Sequence, residues 1–272
     1  MKQKDNIAFW DRSFQEEVEG TAVDAGLLIW ALSGPSFALR TPRTMLYLDP
    51  YFGGDPVECA PHAHRTTQIP LNPATLRRAD GVLVSHAHYD HCHEATLQSL
   101  AGGTPAEFHG PGTAVREMAS FGLPAARLHE VRPGDRFTMQ DASVTVWPAY
   151  DAYETGAVSF VIESGGVKLF FGGDTSAGPA FDEIGARGDL DIALLAFGRK
   201  WYMDEKGLLD AADRLRPRLL LPFHWELWRA YTGDILELGR LVERRKPNYD
   251  VKILLLGDYL RYGPRGVWEK GR

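Results

Sequence analysis

The chain has 272 residues, of which 44% are hydrophobic and 24% are charged, so it is long enough to bury a substantial core. Its formal net charge of −6 argues against a protein that mainly holds nucleic acid or an anionic membrane, because both partners select for a basic surface. No run approaches the roughly 18 apolar residues that span a bilayer, and the N-terminus lacks the apolar region of a secretion signal.

These features predict a soluble protein with no membrane span and no nucleic-acid partner. Its two cysteines, Cys59 and Cys92, lack the paired spacing of a zinc finger or a redox dithiol, which favours a reducing, cytoplasmic location. A single disulfide stays compatible with the sequence, and Cys92 is otherwise expected to be a small packed residue.

Short apolar runs alternate with turn residues along the whole chain, and helical periodicity lies between some of them. Neither a Pro/Gly/Ser-rich linker nor an internal repeat divides the chain, so residues 1–272 are predicted to form one layered α/β or α+β domain. The predicted strands are residues 26–31, 44–48, 81–84, 143–146, 158–162, 167–171, 192–196, 219–221 and 251–256, and the predicted helices are residues 114–119, 206–215 and 235–245.

A dense group of potential metal ligands follows the predicted strand at residues 81–84. Within six positions the chain carries His86, His88, Asp90 and His91. In an extended segment the first two histidines point the same way and can bind one metal, while the other two side chains turn into the next segment and can reach a second. Imidazole and carboxylate ligands without thiolate suit zinc, manganese or iron. The alternative is a set of surface or helix-capping side chains, but three histidines in this pattern favour a metal centre.

Two later strands also end in potential ligands. The apolar run 167–171 is followed by two glycines and Asp174, so the backbone can approach closely and leave a carboxylate at the strand tip. The run 219–221 leads after two residues to His224. Taken alone, the aspartate is typical of a turn and the histidine of a core or surface position. Together with the first cluster, both are predicted to be metal ligands.

This arrangement resembles the metallo-β-lactamase superfamily, whose pattern is His-x-His-x-Asp-His, a later ligand, an Asp after a strand and a final His. Within that superfamily the likeness is to the L-ascorbate-6-phosphate lactonase-like branch, over residues 28–259. The resemblance implies an α+β fold, an αββα four-layer sandwich with its ligands at strand ends. It rests on residues 65–67 (Arg-Thr-Thr), 109–113 (His-Gly-Pro-Gly-Thr), 132–135 (Arg-Pro-Gly-Asp), 173–175 (Gly-Asp-Thr) and 222–228 (Pro-Phe-His-Trp-Glu-Leu-Trp).

One ligand of the superfamily pattern is missing. The superfamily usually supplies a third histidine between the first motif and the later aspartate, but residues 130–173 contain none. Lactonase-like members can carry an aspartate near this point, so the resemblance implies Asp151 as the substitute ligand. The alternative is an ordinary loop carboxylate. His93 also departs from the pattern, because an aspartate is common at that position.

The resemblance further implies two divalent metal ions, Zn²⁺ or Mn²⁺ with Fe²⁺ also compatible, and a hydrolytic reaction. Coordination can lower the pKa of water from 15.7 toward about 7, so a metal-bound hydroxide would be the nucleophile. Asp90 is the candidate to pass a proton to the leaving group. The implied ligands are His86, His88 and Asp151 for one ion, Asp90, His91 and His224 for the other, and Asp174 as the bridge.

The implied partner is a small-molecule substrate. The resemblance favours opening of a lactone, or cleavage of a related ester of a polar small molecule. The candidate substrate-binding residues are Arg65, Tyr202 and Trp225, and Trp228 is a further candidate for the pocket wall. A phosphodiesterase for a lipid, nucleotide or RNA would use the same metal chemistry, and a non-catalytic metal-sensing or nucleic-acid-binding regulator would keep the fold. A homo-oligomer is expected only by analogy with the lactonase.

Overall fold

Apolar runs of the chain form two β-sheets that lie face to face. The computed structural model describes residues 9–55, 64–198, 203–229, 233–266 and 268–271. The first part of the chain and its last two strands form one sheet, and the middle part forms the other. The strands are β1 (Leu27–Ala31), β2 (Phe37–Arg40), β3 (Met45–Leu48), β4 (Gly81–Leu83), β5 (Glu107–Gly110), β6 (Leu128–Glu130), β7 (Arg136–Met139), β8 (Ala142–Pro148), β9 (Val158–Ser164), β10 (Val167–Phe171), β11 (Ile192–Ala196), β12 (Leu219–Phe223), β13 (Asp250–Val251), β14 (Tyr259–Tyr262) and β15 (Trp268–Gly271).

Each sheet has a parallel half, which is the part that positions the site. The spatial order is β15-β14-β1-β2-β3-β4-β5-β6 in the first sheet and β13-β12-β11-β10-β9-β8-β7 in the second. Strands β3 to β6 run parallel to one another, and so do β10 to β13. Parallel strands place their carboxyl ends at one edge, where side chains from several strands can meet.

Helices cover the outer face of each sheet. Ile29, Phe171 and Phe223 belong to the core between the sheets, whereas Trp30 and Phe170 face outward into two further cores beneath the helices. The layers are therefore helix, sheet, sheet, helix, and the expected α+β sandwich is confirmed. None of the described helices is long and apolar enough to cross a membrane. The helices are α1 (Arg12–Gly20), α2 (Glu94–Gly103) and α3 (Gly112–Ser120) on the first sheet, and α4 (Pro179–Arg187), α5 (Glu205–Leu215) and α6 (Ile235–Arg245) on the second.

Most predicted elements are present, and one strand is wrong over most of its length. Strands β10 and β11 and helix α6 have the predicted bounds. The predicted strand at residues 251–256 ends at Val251, because the chain then turns: Leu255 N–H donates to a carboxylate oxygen of Asp258 over 2.9 Å, and the Asp258 N–H donates back to the Leu255 carbonyl. The sequence did not predict strands β2, β5, β6, β7, β14 and β15 or helices α1 and α4. It indicated helix α2 only in the alternative interpretation of the first motif, in which the side chains of that motif cap a helix.

His109 of β5 gives the fold a dependence on pH. Its ring stacks on Phe137 and on His129 at centroid distances of 4.2 and 4.6 Å, and its Nδ1 has no hydrogen-bond partner among the described residues. Burial, assisted by the neighbouring His129, lowers the pKa of His109 to about 4. The unfolded chain protonates His109 near the ordinary pKa of 6.5, whereas the folded chain does so only near 4. The contribution of neutral, buried His109 to the free energy of unfolding is therefore complete above pH 6.5 and is lost as the pH falls toward 4.

Replacing His109 with phenylalanine should therefore flatten part of the acid side of the stability profile. Between pH 7.5 and pH 5 the wild type should lose about 2 kcal/mol more of its free energy of unfolding than His109→Phe. Urea unfolding of both proteins at the two pH values measures this difference. Equal losses in the two proteins would contradict it.

Candidate metal centre

Side chains from both sheets meet where the parallel strands end. The segment after β4 carries His86, and the segments after β8, β10 and β12 carry Asp151, Asp174 and His224. The sheets are joined at this point, because the Val158 N–H of the second sheet donates to the carbonyl of Ser85 over 2.9 Å. The site is thus built across the seam between the two sheets.

The first group of side chains consists of His86, His88, Asp151 and Asp174. Each offers one ligand atom, and these atoms lie within 4.8 Å of one another. Nε2 of His86 is 2.8 Å from Nδ1 of His88, and the Oδ2 atom of Asp151 lies 3.6 Å and 3.8 Å from these two nitrogens. Two imidazole nitrogens and a carboxylate oxygen therefore face one point.

The second group consists of Asp90, His91 and His224, and Asp174 lies between the two groups. Nε2 of His224 is 3.3 Å from Nε2 of His91 and 3.3 Å from Oδ2 of Asp90. Oδ1 of Asp174 is 3.4 Å from the His91 nitrogen and 3.7 Å from the His224 nitrogen, while its Oδ2 is 4.0 Å from Nε2 of His86. One carboxylate therefore faces both groups, as a bridging ligand must.

The backbone at two of these strand tips adopts the left-handed region. Gly173 has φ +62°, and a Cβ atom there would lie 2.7 Å from the side chain of Ser85, so only glycine lets the Asp174 segment approach the first motif this closely. His224 has φ +67°, a conformation that costs about 1–3 kcal/mol in a residue with a side chain. The fold sets the His224 ring in place at a local energetic cost.

Asp49, which the sequence analysis did not single out, supports both groups from behind. It is fully buried at the tip of β3, and its carboxylate accepts hydrogen bonds from Ser85 N (2.7 Å) and Ser85 Oγ (2.5 Å). Its Oδ2 also lies 2.6 Å from Nδ1 of His91, and Ser85 Oγ lies 2.9 Å from Nδ1 of His86. These contacts fix the ring orientation of His86 and His91 and leave each Nε2 directed into the site. The sequence contained a signal for Asp49, because this residue directly follows the predicted strand at residues 44–48.

The charged groups of the site favour a bound cation. Burial disfavours the charged form of His91, but Asp174, Asp49 and Asp90 together raise its pKa well above the ordinary value. Burial opposes ionisation of Asp174 as well, yet His91 and His224 lower its pKa to about 2. The Asp174 carboxylate therefore stays ionised at neutral pH and keeps a positive charge beside it. A proton on His91 supplies that charge, and a divalent ion supplies it by displacing the proton.

The residues fit a divalent metal. Asp151 Oδ2 is buried and accepts no hydrogen bond from the described residues, although its partner atom Oδ1 accepts from Tyr153 N over 2.6 Å. A buried carboxylate oxygen without a donor is costly unless a cation binds it. The nitrogen and oxygen donors present, with no thiolate in either group, suit a divalent ion of the first transition series.

The cavity beside these groups has a volume of about 360 Å³ and an aromatic wall. Trp228 lines this cavity, and its Nε1–H donates to Oδ2 of Asp90 over 2.8 Å. Its other lining residues are His88, Asp90, Tyr150, Asp151, Ala152, Tyr153, Asp174, Thr175 and Ser176.

The predicted substrate-binding residues do not line this cavity where they are described. The Arg65 guanidinium instead donates to backbone carbonyls, including those of Thr67 (3.0 Å) and Gly53 (3.1 Å), and so holds its own loop. Trp225 packs into the core between the second sheet and its helices. Tyr202 lies outside the described residues. Of the two tryptophans expected at a pocket, Trp228 lines this cavity and Trp225 does not.

Cys92 and His93, which directly follow the first motif, have packing roles. Cys92 is buried in the core beneath α1 to α3, and this burial raises the pKa of its thiol, which agrees with its prediction as a small packed residue. His93 is buried against Tyr51, and its Nδ1 lies 2.8 Å from Thr96 Oγ1 in the first turn of α2. Neither belongs to the ligand groups among the described residues. Cys59 lies outside the described residues.

The fold is an αββα sandwich, and its two ligand groups form a candidate metal centre. Residues 44–225 match the family model for the β-lactamase superfamily domain, and the chain belongs to the metallo-β-lactamase superfamily. A probable L-ascorbate-6-phosphate lactonase UlaG of Salmonella heidelberg is 26% identical over 236 residues, which cover 76% of this chain and 63% of that relative. This similarity supports the lactonase-like branch, and the chain spans less than two thirds of the length of the curated relatives it matches.

Solved structures share the fold at lower sequence identity. The isothiocyanate hydrolase from Delia radicum gut bacteria has a TM-score of 0.71 at 15% identity, covering 87% of this chain and 99% of that one. Igni18, a metallo hydrolase from the archaeon Ignicoccus hospitalis, has a TM-score of 0.67 at 18% identity, covering 90% and 98%. At these identities the likeness shows the architecture alone.

Proposed function

We propose that the protein is a metal-dependent hydrolase that opens a lactone, or cleaves a related ester, of a polar small molecule. The observation that carries this proposal is the convergence of two ligand groups, shared through Asp174, on one side of a 360 Å³ cavity. Cavities of roughly 300–1,000 Å³ are typical of small-molecule sites. The likeness to a probable lactonase supports the reaction class.

The chain's own residues would divide the work between holding metal and handling protons. When bound, divalent ions make water acidic and polarise the carbonyl of the substrate. Asp90 lines the cavity and would then be the proton carrier, since His91 and His224 outweigh the effect of burial, hold its pKa below the ordinary range and so keep it ionised and able to accept a proton. Oδ2 accepts the hydrogen bond from Trp228 and also faces Nε2 of His224, so Oδ2 would be the ligand atom. Oδ1 would take the proton that the attacking water loses and pass it to the leaving alkoxide, which is a much stronger base. The ligands in this proposal are His86, His88 and Asp151 for one ion, Asp90, His91 and His224 for the other, and Asp174 for both.

The cavity wall favours an uncharged ester over a phosphodiester. Tyr150, Tyr153 and Trp228 offer flat apolar surfaces, and Thr175 and Ser176 offer hydroxyl groups. No lysine or arginine lines the cavity in the described part of the chain, so a substrate phosphate would depend on the metal ions alone for its positive partner. A lactone ring needs no further cation.

A paired assay of the metal-loaded protein tests this function. We expect hydrolysis of at least one member of a lactone panel, slower cleavage of bis-(p-nitrophenyl) phosphate, and loss of both activities in His86→Ala, which removes a ligand of the first group. The reverse preference would favour the phosphodiesterase. Activity that persists in His86→Ala would refute the assigned centre, and a protein that binds no metal and cleaves neither substrate would leave the non-catalytic nucleic-acid-binding regulator.

A further inference from the structure

The loop between β8 and β9, where the superfamily pattern would place a third histidine, carries two carboxylates with different contacts. Asp151 Oδ1 accepts hydrogen bonds from the backbone N–H groups of Tyr153 (2.6 Å) and Glu154 (3.3 Å), which closes a tight turn. Its Oδ2 is left facing Nε2 of His86 and Nδ1 of His88. The turn therefore sets the direction of Oδ2 and places Glu154 three residues after Asp151.

Glu154 ties this loop to the first motif. Its Oε2 accepts a hydrogen bond from the backbone N–H of Ala87 over 2.8 Å, and its Oε1 accepts one from Thr113 Oγ1 over 2.5 Å. Ala87 lies between His86 and His88, and Thr113 lies in the first turn of α3. One carboxylate thus joins three segments that are far apart in sequence: the ligand loop, the first motif and a helix of the first sheet.

Such a connection is needed because an aspartate side chain is shorter than a histidine side chain. An aspartate can serve in place of the histidine only if its backbone is held closer to the ion. The described contacts of Glu154 pull the loop in this direction, since they act on the peptide between the two histidines that face Asp151.

We propose that Glu154 is a positioning residue of the metal centre, which holds residues 149–157 against the first motif so that Asp151 reaches the ion bound by His86 and His88. The proposal rests on the metal centre of the proposed function and is independent of the substrate. Outer-shell residues of this kind typically change metal affinity by about 10–100-fold when they are replaced.

Competitive titration of the metal-free protein with Co²⁺ and Zn²⁺ against a chelator tests the proposal without an activity assay. Glu154→Ala should weaken one of two sites by roughly 10–100-fold and change the visible absorption of the Co²⁺ at that site, because the coordination there changes. Glu154→Gln should restore both, since its amide oxygen can accept from Ala87 and its amide N–H can donate to Thr113 Oγ1. Glu117→Ala is the matched control, because Glu117 is an exposed carboxylate on the same helix as Thr113.

Thr113→Val keeps the test decisive if Glu154→Ala does not fold. It removes one of the two contacts and should weaken the same site by a smaller factor. Unchanged affinity and Co²⁺ absorption in the folded variants would overturn the proposal, and so would a Glu154→Gln protein as impaired as Glu154→Ala. A wild type that binds no metal would instead refute the proposed function, which keeps the two failures apart.

Discussion

Asp174→Asn is expected to lower kcat/KM for the lactone substrate by roughly 10³-fold, or about 4 kcal/mol of transition-state stabilisation. Asparagine has nearly the same shape, but it presents one neutral oxygen where the aspartate presents two charged ones. Since Oδ1 faces His91 and His224 while Oδ2 faces His86, the amide cannot serve both groups. The variant should bind fewer than two metal ions per chain, measured by elemental analysis after purification without chelators.

Asp191→Asn is the matched control for this loss. Asp191 is also a buried carboxylate of the second sheet, where it accepts a hydrogen bond from Lys168 N over 2.8 Å, but it lies at the opposite end of β11 from the site. Its replacement should reduce stability and leave the metal content and kcat unchanged. If Asp174→Asn keeps its metal ions and its activity, the bridging role is wrong.

Asp151→Asn is expected to give the second largest loss, about 10²-fold in kcat/KM, by weakening one metal site while the other keeps its affinity. Asparagine can still accept the hydrogen bonds from Tyr153 and Glu154 that close the turn, so the loop should keep its shape. Asp151→Ala removes both the turn and the ligand and should be less stable as well, by about 1 kcal/mol.

Comparing Asp151→Asn with Asp151→Ala separates the effect of losing a metal ligand from the effect of losing the turn. Metal titration gives the loss of affinity, and thermal unfolding of the metal-free proteins gives the loss of stability. If the asparagine variant binds metal as the wild type does and only the alanine variant is impaired, Asp151 is an ordinary loop carboxylate. The protein ligands of the first ion would then be His86, His88 and Asp174.

Local patterns in the sequence predicted the parts of this site that are local in structure. His86, His88, Asp90 and His91 lie within one segment, and β10 and β11 are long apolar runs with turn residues at both ends, so their bounds were readable. Short, partly polar strands such as β6 were missed because pairing with neighbouring strands, rather than their own composition, makes them strands.

Long-range contacts account for what the sequence could not show. Glu154 has no motif around it, and its role depends on Ala87, 67 residues away. The choice between Trp225 and Trp228 depends on which ring faces the cavity, and two tryptophans three positions apart give no information on that point. Arg65 was expected to meet a substrate because it is a cation near a motif, but the nearby carbonyls bind its guanidinium instead.

Because the ligands come from both sheets, metal ions bound in the proposed centre would help to hold the two sheets together. His91 belongs to the first sheet and His224 to the second, and 133 residues separate them along the chain. During synthesis the ribosome completes the first sheet's ligands long before the second sheet exists. In the proposed centre, metal bound by ligands from both sheets would stabilise the docked state over the separated one by mass action. In a cell short of metal, the protein would be depleted through slower maturation and faster turnover as well as through lost chemistry.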